Sequence, residues 1–214
     1  TAVNDALTGA DLRRKAAVAT DLDTALTPVG TADGTPDTPF SNATPIGQFQ
    51  ALYLLVEVES ALLVIDTHAA HERINYERLQ QAFDGVPMQT HELDPPISVP
   101  LAAEEVAIAS ANSDTLETLG FTVEPFGGQL IRLREVPAPF GRVADSTAIV
   151  DLLSALSSSG APTNARDAML ADLACHPSLK RGDRLTESDQ QALLDRLGEC
   201  ARPYACPHGR PTVL

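Results

Sequence analysis

The feature that most constrains the fold is a junction between a strand and a helix near residue 66. An apolar run at residues 62–65, Leu-Leu-Val-Ile, is typical of a buried strand and leads directly into Asp66. The residues that follow predict a helix that runs to about residue 83. His68 and Glu72 are four residues apart, so both side chains lie on one face of that helix. The junction therefore places two carboxylates and an imidazole at the end of a buried strand.

Three residues far along the chain complete a set of metal-ligand types: Cys175, Cys206 and His208. Carboxylate, imidazole and thiolate together are the ligands of zinc or manganese sites. The sequence therefore predicts a metal site assembled from three separate segments.

Each of these residues also has an ordinary interpretation that involves no metal. In that interpretation, Asp66 only caps the helix, as many Asp residues do. His68 and Glu72 then form an exposed pair on the helix surface. Cys175 packs as a small core residue, and Cys206 with the nearby histidine forms half of a structural zinc site.

The charge of the chain limits its partners. The net charge is −14 and the sequence pI is about 4.6. Such a surface repels phosphate, so tight DNA binding requires another domain or a metal. Lys15 and Lys180 are the two lysines, and the other basic residues are arginines. This halophile-like acidic, lysine-poor surface is typical of proteins that work at high salt, and a GC-rich genome explains it equally well.

The three cysteines indicate reduced thiols in the cytoplasm, because their number is odd and no signal peptide is visible. No apolar run reaches membrane-spanning length. The chain begins with Thr1, which predicts a fragment of a longer protein.

Patterning along the chain predicts an α+β fold in two subdomains, the middle one inserted into the other. Residues 1–44 are polar and rich in turn formers, which predicts a flexible linker. Apolar runs at 53–58 and 61–65 predict a hairpin, turning at Glu59 and Ser60, whose strands are buried on both faces. The other expected elements are a Pro-rich connector at 91–100, helices at 101–119, 147–156, 164–179 and 186–200 (the last capped by Thr186), a turn at 160–162, and a second hairpin across Gly127 and Gly128.

These segments, in this order, resemble the C-terminal domain of the MutL family of DNA mismatch-repair proteins. The resemblance covers residues 45–214, and residues 1–44 resemble the linker of that family. The stretches that carry it are Pro-Ile-Gly-Gln at 45–48, the first hairpin, Val-Ile-Asp-Thr-His-Ala-Ala-His-Glu-Arg-Ile-Asn-Tyr-Glu at 64–77, Ala-Cys-His at 174–176 and Pro-Tyr-Ala-Cys-Pro-His-Gly-Arg-Pro-Thr at 203–212.

One branch of that family is a metal-dependent endonuclease, and another branch has lost the site. The endonuclease signature reads Asp-Gln-His-Ala, two residues, Glu, four residues, Glu, and this chain departs from it only at Thr67. The resemblance implies catalytic and metal-binding roles for Asp66 and Glu72 and a metal-binding role for His68. It gives Glu77 membership of the motif only.

The two other metal-binding motifs of the family are matched by Cys175, Cys206 and His208, so the resemblance adds these three to the metal ligands. His176 stands where relatives often have Arg or Lys, and its role stays open. Cys200 matches no motif and is interpreted as a packing residue.

Three further residues near the ligands have open roles. His71 lies about 60° around the helix from His68, so it is expected to support a ligand rather than to bind metal. Glu77 lies about 140° around the helix from Glu72, which favours packing or pairing with an arginine. Arg210 contacts phosphate or, more in keeping with its place, orients a ligand carboxylate.

The resemblance implies a homodimer that nicks DNA during mismatch repair. Residues 45–86 and 163–214 are then the dimerisation subdomain with the metal site, and residues 87–162 are an inserted regulatory subdomain. Zn²⁺, Mn²⁺ or both are the expected cofactors, and ATP acts only through an N-terminal domain absent from this chain.

The expected partners are a second copy of the chain, DNA, a MutS-like mismatch-recognition protein and the replication sliding clamp. The clamp rests on a loose Gln-Leu-Pro pattern at residues 89–95, which a Pro-rich connector also explains. No membrane is expected, and the expected location is the cytoplasm, at the nucleoid. Two alternatives remain: a dimerisation module with a structural zinc and no catalysis, and an interaction platform that pairs subunits and receives the clamp.

Overall fold

The computed structural model describes residues 29–30, 36–37, 40, 42–59, 61–142, 146–157 and 163–214. Ser60, the turn predicted at 160–162 and most of the predicted linker lie outside the described residues. Within that linker, Val29–Gly30 pairs antiparallel with Pro36–Asp37.

The described residues contain two three-stranded antiparallel sheets and six α-helices, which confirms the α+β class. The first sheet has the order β1 (Thr44–Phe49), β2 (Tyr53–Val58), β3 (Ala61–Asp66). The second has the order β4 (Thr90–Pro100), β6 (Leu130–Pro137), β5 (Thr122–Pro125). The helices are α1 (Thr67–Phe83), α2 (Ala103–Ala111), α3 (Ser113–Thr118), α4 (Ser146–Ser157), α5 (Thr163–Cys175) and α6 (Glu187–Gly198).

The first sheet contains the predicted hairpin, with Val56 of β2 opposite Leu63 of β3. The prediction that both faces are buried is wrong. Leu63 and Ile65 are buried, whereas Leu62 of the same strand is 60% exposed. Helices α1 and α6 contribute to the core on one side of the sheet, so alternate side chains of an apolar strand point outward.

The first core lies between this sheet and helices α1 and α6. Its buried members are Phe40, Ala43, Leu54, Val56, Leu63, Ile65, Ala70, Ile74, Leu179, Leu193, Leu194, Leu197 and Cys200. Phe40 and Ala43 come from the stretch predicted as linker, and the ring of Phe40 lies 6.0 Å from the ring of Tyr204. The burial of Cys200 agrees with its interpretation as a packing residue.

The second core lies between the second sheet and helices α2 to α5. Its buried members are Leu79, Val99, Leu101, Ala109, Leu116, Leu119, Phe121, Ile131, Leu133, Val136, Phe140, Ala148, Ile149, Leu152, Leu153, Met169, Leu170, Leu173 and Ala174. The predicted hairpin across Gly127 and Gly128 is confirmed, because β5 and β6 pair on either side of it. Helix α5 contributes Met169, Leu170, Leu173 and Ala174 to this core and ends at Cys175.

Two predicted helices are shorter than expected. The helix at 101–119 is split into α2 and α3 at Asn112, whose side chain donates to the carbonyl of Ile108 at 2.8 Å and so competes with the helical backbone bonds. The helix at 164–179 ends at Cys175, because Pro177 has no N–H to continue it. The capping role predicted for Thr186 is confirmed at the start of α6.

The connector predicted at 91–100 is wrong, because this stretch forms strand β4. The strand lies at the edge of the second sheet, and its pairing with β6 shifts register between Glu92 and Ile97. Pro95 and Pro96 fall inside that irregularity, where no ladder hydrogen bond needs their missing N–H groups. Among the described helices, none combines the length and apolar character required to cross a membrane.

Candidate metal centre

Asp66 forms the junction between β3 and α1. Its Oδ1 atom accepts hydrogen bonds from the backbone N–H groups of His68 and Ala69, both at 3.0 Å. These bonds satisfy two of the donors that the start of a helix leaves free. The backbone N–H of Asp66 donates to the carbonyl of Thr212 at 2.9 Å, which joins the C-terminal segment to the junction. Asp66 therefore caps the helix, whatever further role its second carboxylate oxygen has.

Glu72 lies at the centre of the site. Its side chain is 1% exposed, and its Oε1 atom accepts from Cys175 Sγ at 2.7 Å and lies 3.1 Å from His68 Nε2. Burial raises the pKa of Glu72, but contacts with His68, Cys175 and Cys206 outweigh it and lower the pKa to about 2. The carboxylate is therefore charged at neutral pH although it is buried.

The third segment brings His208 to the same carboxylate. His208 Nδ1 lies 3.7 Å from Glu72 Oε2 and 3.8 Å from Cys175 Sγ. The segment is a tight loop, in which the N–H of Cys206 donates to the carbonyl of Arg210 at 2.8 Å. The C-terminal residues beyond the loop pair with β3 through an isolated bridge between Ile65 and Val213. Pairing with the strand thus places the loop over the start of α1.

Glu72, Cys175 and His208 fit a metal ion. One ligand atom of each lies within 4.8 Å of the other two. Glu72 Oε2 is buried and has no hydrogen-bond partner among the described residues, which leaves a charged oxygen that a cation would satisfy. A carboxylate, a thiol and an imidazole suit zinc, and manganese is served less well by the sulfur. The structure therefore groups three of the six predicted ligands directly.

His68 is held in an orientation that suits a fourth ligand. Its Nδ1 atom lies 2.6 Å from the carbonyl of Leu179, which only accepts hydrogen bonds, so Nδ1 carries the proton. Nε2 then faces Glu72. The hydrogen bond to Glu72 raises the pKa of His68 against the opposing effect of burial. A backbone carbonyl on one ring nitrogen commonly fixes the tautomer of a histidine that binds metal through the other.

The thiols are protonated in the metal-free site. Burial, and after it the charge and hydrogen bond of Glu72, raises the pKa of Cys175 to about 12. Burial also raises the pKa of Cys206, whose thiol interacts with the same carboxylate. A cation must displace these protons to gain thiolate ligands.

The other predicted residues lie around this group in different roles. His71 Nδ1 accepts from the N–H of Leu179 at 3.0 Å, so it holds the same residue as His68. His176 Nε2 lies 3.2 Å from Asp151 Oδ2. Arg210 is exposed, and its carbonyl holds the loop.

Glu77 fastens the C-terminal segment to helix α1. Its carboxylate accepts from the N–H groups of Ala201 at 2.7 Å and Arg202 at 3.1 Å. It also lies 3.6 Å from Arg73, whose Nε donates to the carbonyl of Ala205 at 2.6 Å. Glu77 thus pairs with an arginine, as its helical position predicted, and this pair anchors the segment that leads to Cys206.

Two contributors to the site escaped the sequence analysis. The carbonyl of Leu179 orients His68, and no sequence signal marks a backbone group. Asp172 Oδ1 lies 3.7 Å from His208 Nε2. Its position three residues before Cys175 on a helix is a signal that would have found it. A groove with a volume of about 740 Å³ opens beside His208 and Asp172 and runs along α1.

A profile of the family described as "MutL C terminal dimerisation domain" matches residues 46–185. Three relatives, each called "DNA mismatch repair protein MutL", illustrate the similarity. The Halobacterium salinarum protein is 41% identical over 79% of this chain, that of Xylella fastidiosa 38% over 78%, and that of Methanothrix thermoacetophila 39% over 79%.

The chain spans between 26% and 30% of the length of these three relatives. The profile covers more than half of the chain, and the relatives align with more than three quarters of it. The chain therefore belongs to the family of MutL C-terminal dimerisation domains.

Proposed function

We propose that this chain is the dimerisation domain of a MutL-like mismatch-repair protein and carries the metal-dependent centre that nicks DNA. The observation that supports catalysis best is the convergence of Glu72, Cys175 and His208 on one point, where a charged, buried oxygen of Glu72 has His208 at 3.7 Å but no hydrogen-bond partner among the described residues. A buried carboxylate with a strongly shifted pKa, placed among other ligand types, is typical of functional sites.

The residues of the centre divide into ligands and supports. Glu72, Cys175 and His208 hold the ion, with Cys206 and the Nε2 atom of His68 as further donors. A bound divalent ion supplies phosphodiester chemistry by lowering the pKa of a coordinated water and by neutralising phosphate charge. Asp66 has one oxygen in the helix cap, and its second oxygen is the group proposed for catalysis.

The same proposal assigns pairing of two chains to the first sheet. Large apolar side chains are exposed on its strands and beside them: Ile46, Phe49, Leu62 and Leu214. Leu214 lies beside strand β3, because its N–H donates to the carbonyl of Val64 at 2.8 Å. A cluster of exposed apolar side chains is typical of a protein interface.

DNA, a MutS-like protein and the sliding clamp are the proposed partners of the whole protein. The Gln-Leu-Pro pattern at 89–95 falls on the exposed first half of strand β4, where a partner has access to it.

One observation favours a second candidate function, a dimerisation platform with a structural zinc. Glu72, Cys175, Cys206 and His208 offer four donors, and a closed four-ligand site leaves no position for water. Asp66 is in addition already occupied by capping.

Nicking of supercoiled DNA separates these two functions. We expect the full-length protein to hold zinc and to nick plasmid with manganese. Asp66→Asn should abolish nicking and leave zinc content and dimer mass nearly unchanged, because Asn caps helices as well as Asp does. Asp114→Asn, in the first turn of α3, is the matched control and should nick like the wild type. Equal nicking by wild type and Asp66→Asn would leave the structural platform as the better account.

A further inference from the structure

We propose that the basic loop, residues 180–184, binds the phosphate backbone of DNA beside the metal centre. This inference rests on the proposed function, since it names the surface on which the substrate of that centre lies.

The basic loop concentrates positive charge on an acidic protein. It carries Lys180, Arg181 and Arg184, all exposed, in a chain of net charge −14. Its one carboxylate, Asp183, accepts a hydrogen bond from the backbone N–H of Lys180 at 2.8 Å. Among the described residues, no ion pair involves any of the three cations.

Three arginines elsewhere in the described chain are already paired with carboxylates. Arg73, Arg134 and Arg166 each lie within 4.0 Å of a carboxylate, at 3.6, 2.7 and 4.0 Å. The basic loop instead groups three cations within five residues, with no ion pair to the described part of the chain, so they are available together for an external anion. Lysine and arginine heads of this kind make the contacts that hold a nucleic-acid backbone in place.

The loop is fixed in position before any ligand binds. The side-chain amide of Gln48 donates to the carbonyl of Asp183 at 3.1 Å and accepts from the N–H of Leu185 at 2.8 Å. The N–H of Gly182 donates to the carbonyl of Ala51 at 3.1 Å. A loop held at three points loses little conformational freedom on binding, so its charges act with a smaller entropic cost.

The loop is also joined directly to the metal centre. Leu179, the residue before it, accepts from His68 through its carbonyl at 2.6 Å and donates to His71 through its N–H at 3.0 Å. His68 is at the same time 3.1 Å from Glu72. The loop therefore begins at the residue that follows a direct contact of His68, one of the proposed ligands.

The groove beside the centre is acidic. The groove along α1 is lined by four carboxylates, Glu77, Asp84, Asp167 and Asp172, and by two arginines. One of these, Arg73, is already paired with Glu77. Because carboxylates outnumber arginines there, a polyanion reaches the centre with least repulsion from the side of the basic loop.

The test compares two double variants that remove the same charge. Arg181→Gln/Arg184→Gln neutralises two cations of the loop, and Arg132→Gln/Arg196→Gln neutralises two arginines on β6 and α6. The dissociation constant of each zinc-loaded protein for a labelled duplex oligonucleotide is measured by fluorescence anisotropy between about 50 and 200 mM salt. Zinc content and dimer mass check that each variant is folded.

We expect the loop variant to bind about tenfold more weakly and to lose about 1.8 units from the slope of log K against log salt, since each phosphate contact contributes about 0.9. The control variant should bind within about twofold of the wild type. Equal weakening in both variants, or no change in the loop variant, overturns the proposal, as does a wild-type protein that binds no DNA at low salt.

Nicking by the same proteins keeps this inference separate from the proposed function. If the wild type binds through the loop but does not nick DNA, the endonuclease proposal fails and the loop proposal stands. If the wild type nicks DNA and the loop variant binds and nicks equally well, the loop proposal fails and the endonuclease proposal stands. If both hold, the loop variant should show a higher KM with kcat nearly unchanged, because it loses substrate binding rather than chemistry.

Discussion

The two ends of the folded chain and the stretch between them differ in what they bury. The buried polar or charged residues among those described are Thr67, Glu72, Arg73, Asn75, Ser178, Gln190 and Thr212. All of them lie in helix α1 or after helix α5, which together with the first sheet form the outer region. The described part of residues 90–157, the middle region, contributes none. Burying such a group costs about 1–3 kcal/mol if its hydrogen bonds are not replaced.

In the outer region, buried polar groups exchange their hydrogen bonds with water for hydrogen bonds within the protein. Several of these bonds join segments that are far apart in the sequence. Thr212 Oγ1 donates to the carbonyl of Pro203, and Asn75 donates to Ser178 at 3.2 Å. Arg73 holds the carbonyl of Ala205. The described interior of the middle region is apolar, whereas the outer region uses buried hydrogen bonds to align three segments at one point. We therefore expect its polar interior to affect the site as well as stability.

Loss of metal should have the largest effect and should be confined to the outer region. Cys175→Ser removes a proposed ligand, so we expect zinc content to fall and the free-energy contribution of zinc, about 4 kcal/mol at a free concentration 1,000 times Kd, to disappear. Metal analysis and thermal unfolding with and without zinc measure this.

Cys200→Ser is the matched control, since Cys200 is a buried thiol of the first core that donates to the carbonyl of Arg196 at 3.4 Å. It should keep its zinc. Hydrogen exchange on removal of zinc should increase at residues 201–212 and leave 90–137 unchanged. Unchanged zinc in Cys175→Ser would remove the three-segment centre from consideration.

Truncation of a core side chain should lower the free energy of unfolding by a similar amount in both regions. It should weaken metal binding only in the outer region. Ile65 and Leu119 are both fully buried, in the first and second core. Ile65→Ala and Leu119→Ala should each lower the free energy of unfolding by about 2–5 kcal/mol in urea titrations.

Only Ile65→Ala should weaken zinc binding. Ile65 precedes Asp66 and bridges to Val213, which follows the loop that carries Cys206 and His208. A chelator competition measures the affinity. An equal loss of zinc affinity in Leu119→Ala would mean that the two cores behave as one unit, and the comparison between the regions would fail.

An exposed apolar residue should matter for pairing only in the outer region. Leu62 is 60% exposed on the first sheet and Phe126 is 47% exposed on the hairpin of the second. Leu62→Asp should weaken the dimer by about 2 kcal/mol, or roughly 30-fold, since it buries a charge in the proposed interface. Light scattering over a range of concentrations should show the dimer dissociating, while Phe126→Asp stays dimeric. A dimeric Leu62→Asp would place the interface elsewhere.

The elements that the sequence predicted best are those with strong local signals. Helix α1 begins after the cap Asp66, and α6 begins after the cap Thr186. Strand β4 was missed because its evidence is not local: Val99 pairs with Ile131, more than thirty residues away, and two prolines conceal the strand pattern. The exposed face of the first sheet was missed because an apolar strand with one exposed face has the same composition as one that is buried on both faces.

The site was predictable to the extent that its chemistry lies in side chains. Glu72, Cys175 and His208 were identified from their ligand types and motifs, and the structure brings them together. What holds them was not predictable, because the carbonyl of Leu179 and the amides that Glu77 accepts from are backbone groups. Such groups acquire positions only when distant segments have folded against each other.

The smallest expected effect compares the same substitution in an ion pair of each region. Glu77 and Arg73 are 12% and 8% exposed, whereas Glu124 and Arg134 are 48% and 43% exposed. Glu124→Gln should change the free energy of unfolding by less than about 1 kcal/mol, because solvent screens exposed pairs. Glu77→Gln should cost about 1–2 kcal/mol, since its carboxylate accepts two backbone N–H groups as well.

Zinc affinity decides whether Glu77 acts on the site or only on stability. Gln keeps the shape of the side chain but offers one acceptor oxygen in place of two, so one of the amides at 201 and 202 loses its partner. The loop that carries Cys206 and His208 then becomes less firmly held, and we expect zinc affinity to fall roughly tenfold, as with other residues that support metal ligands. Glu124→Gln should leave that affinity unchanged. If Glu77→Gln lowers stability but not zinc affinity, the buried polar groups of the outer region stabilise the fold without aligning the site.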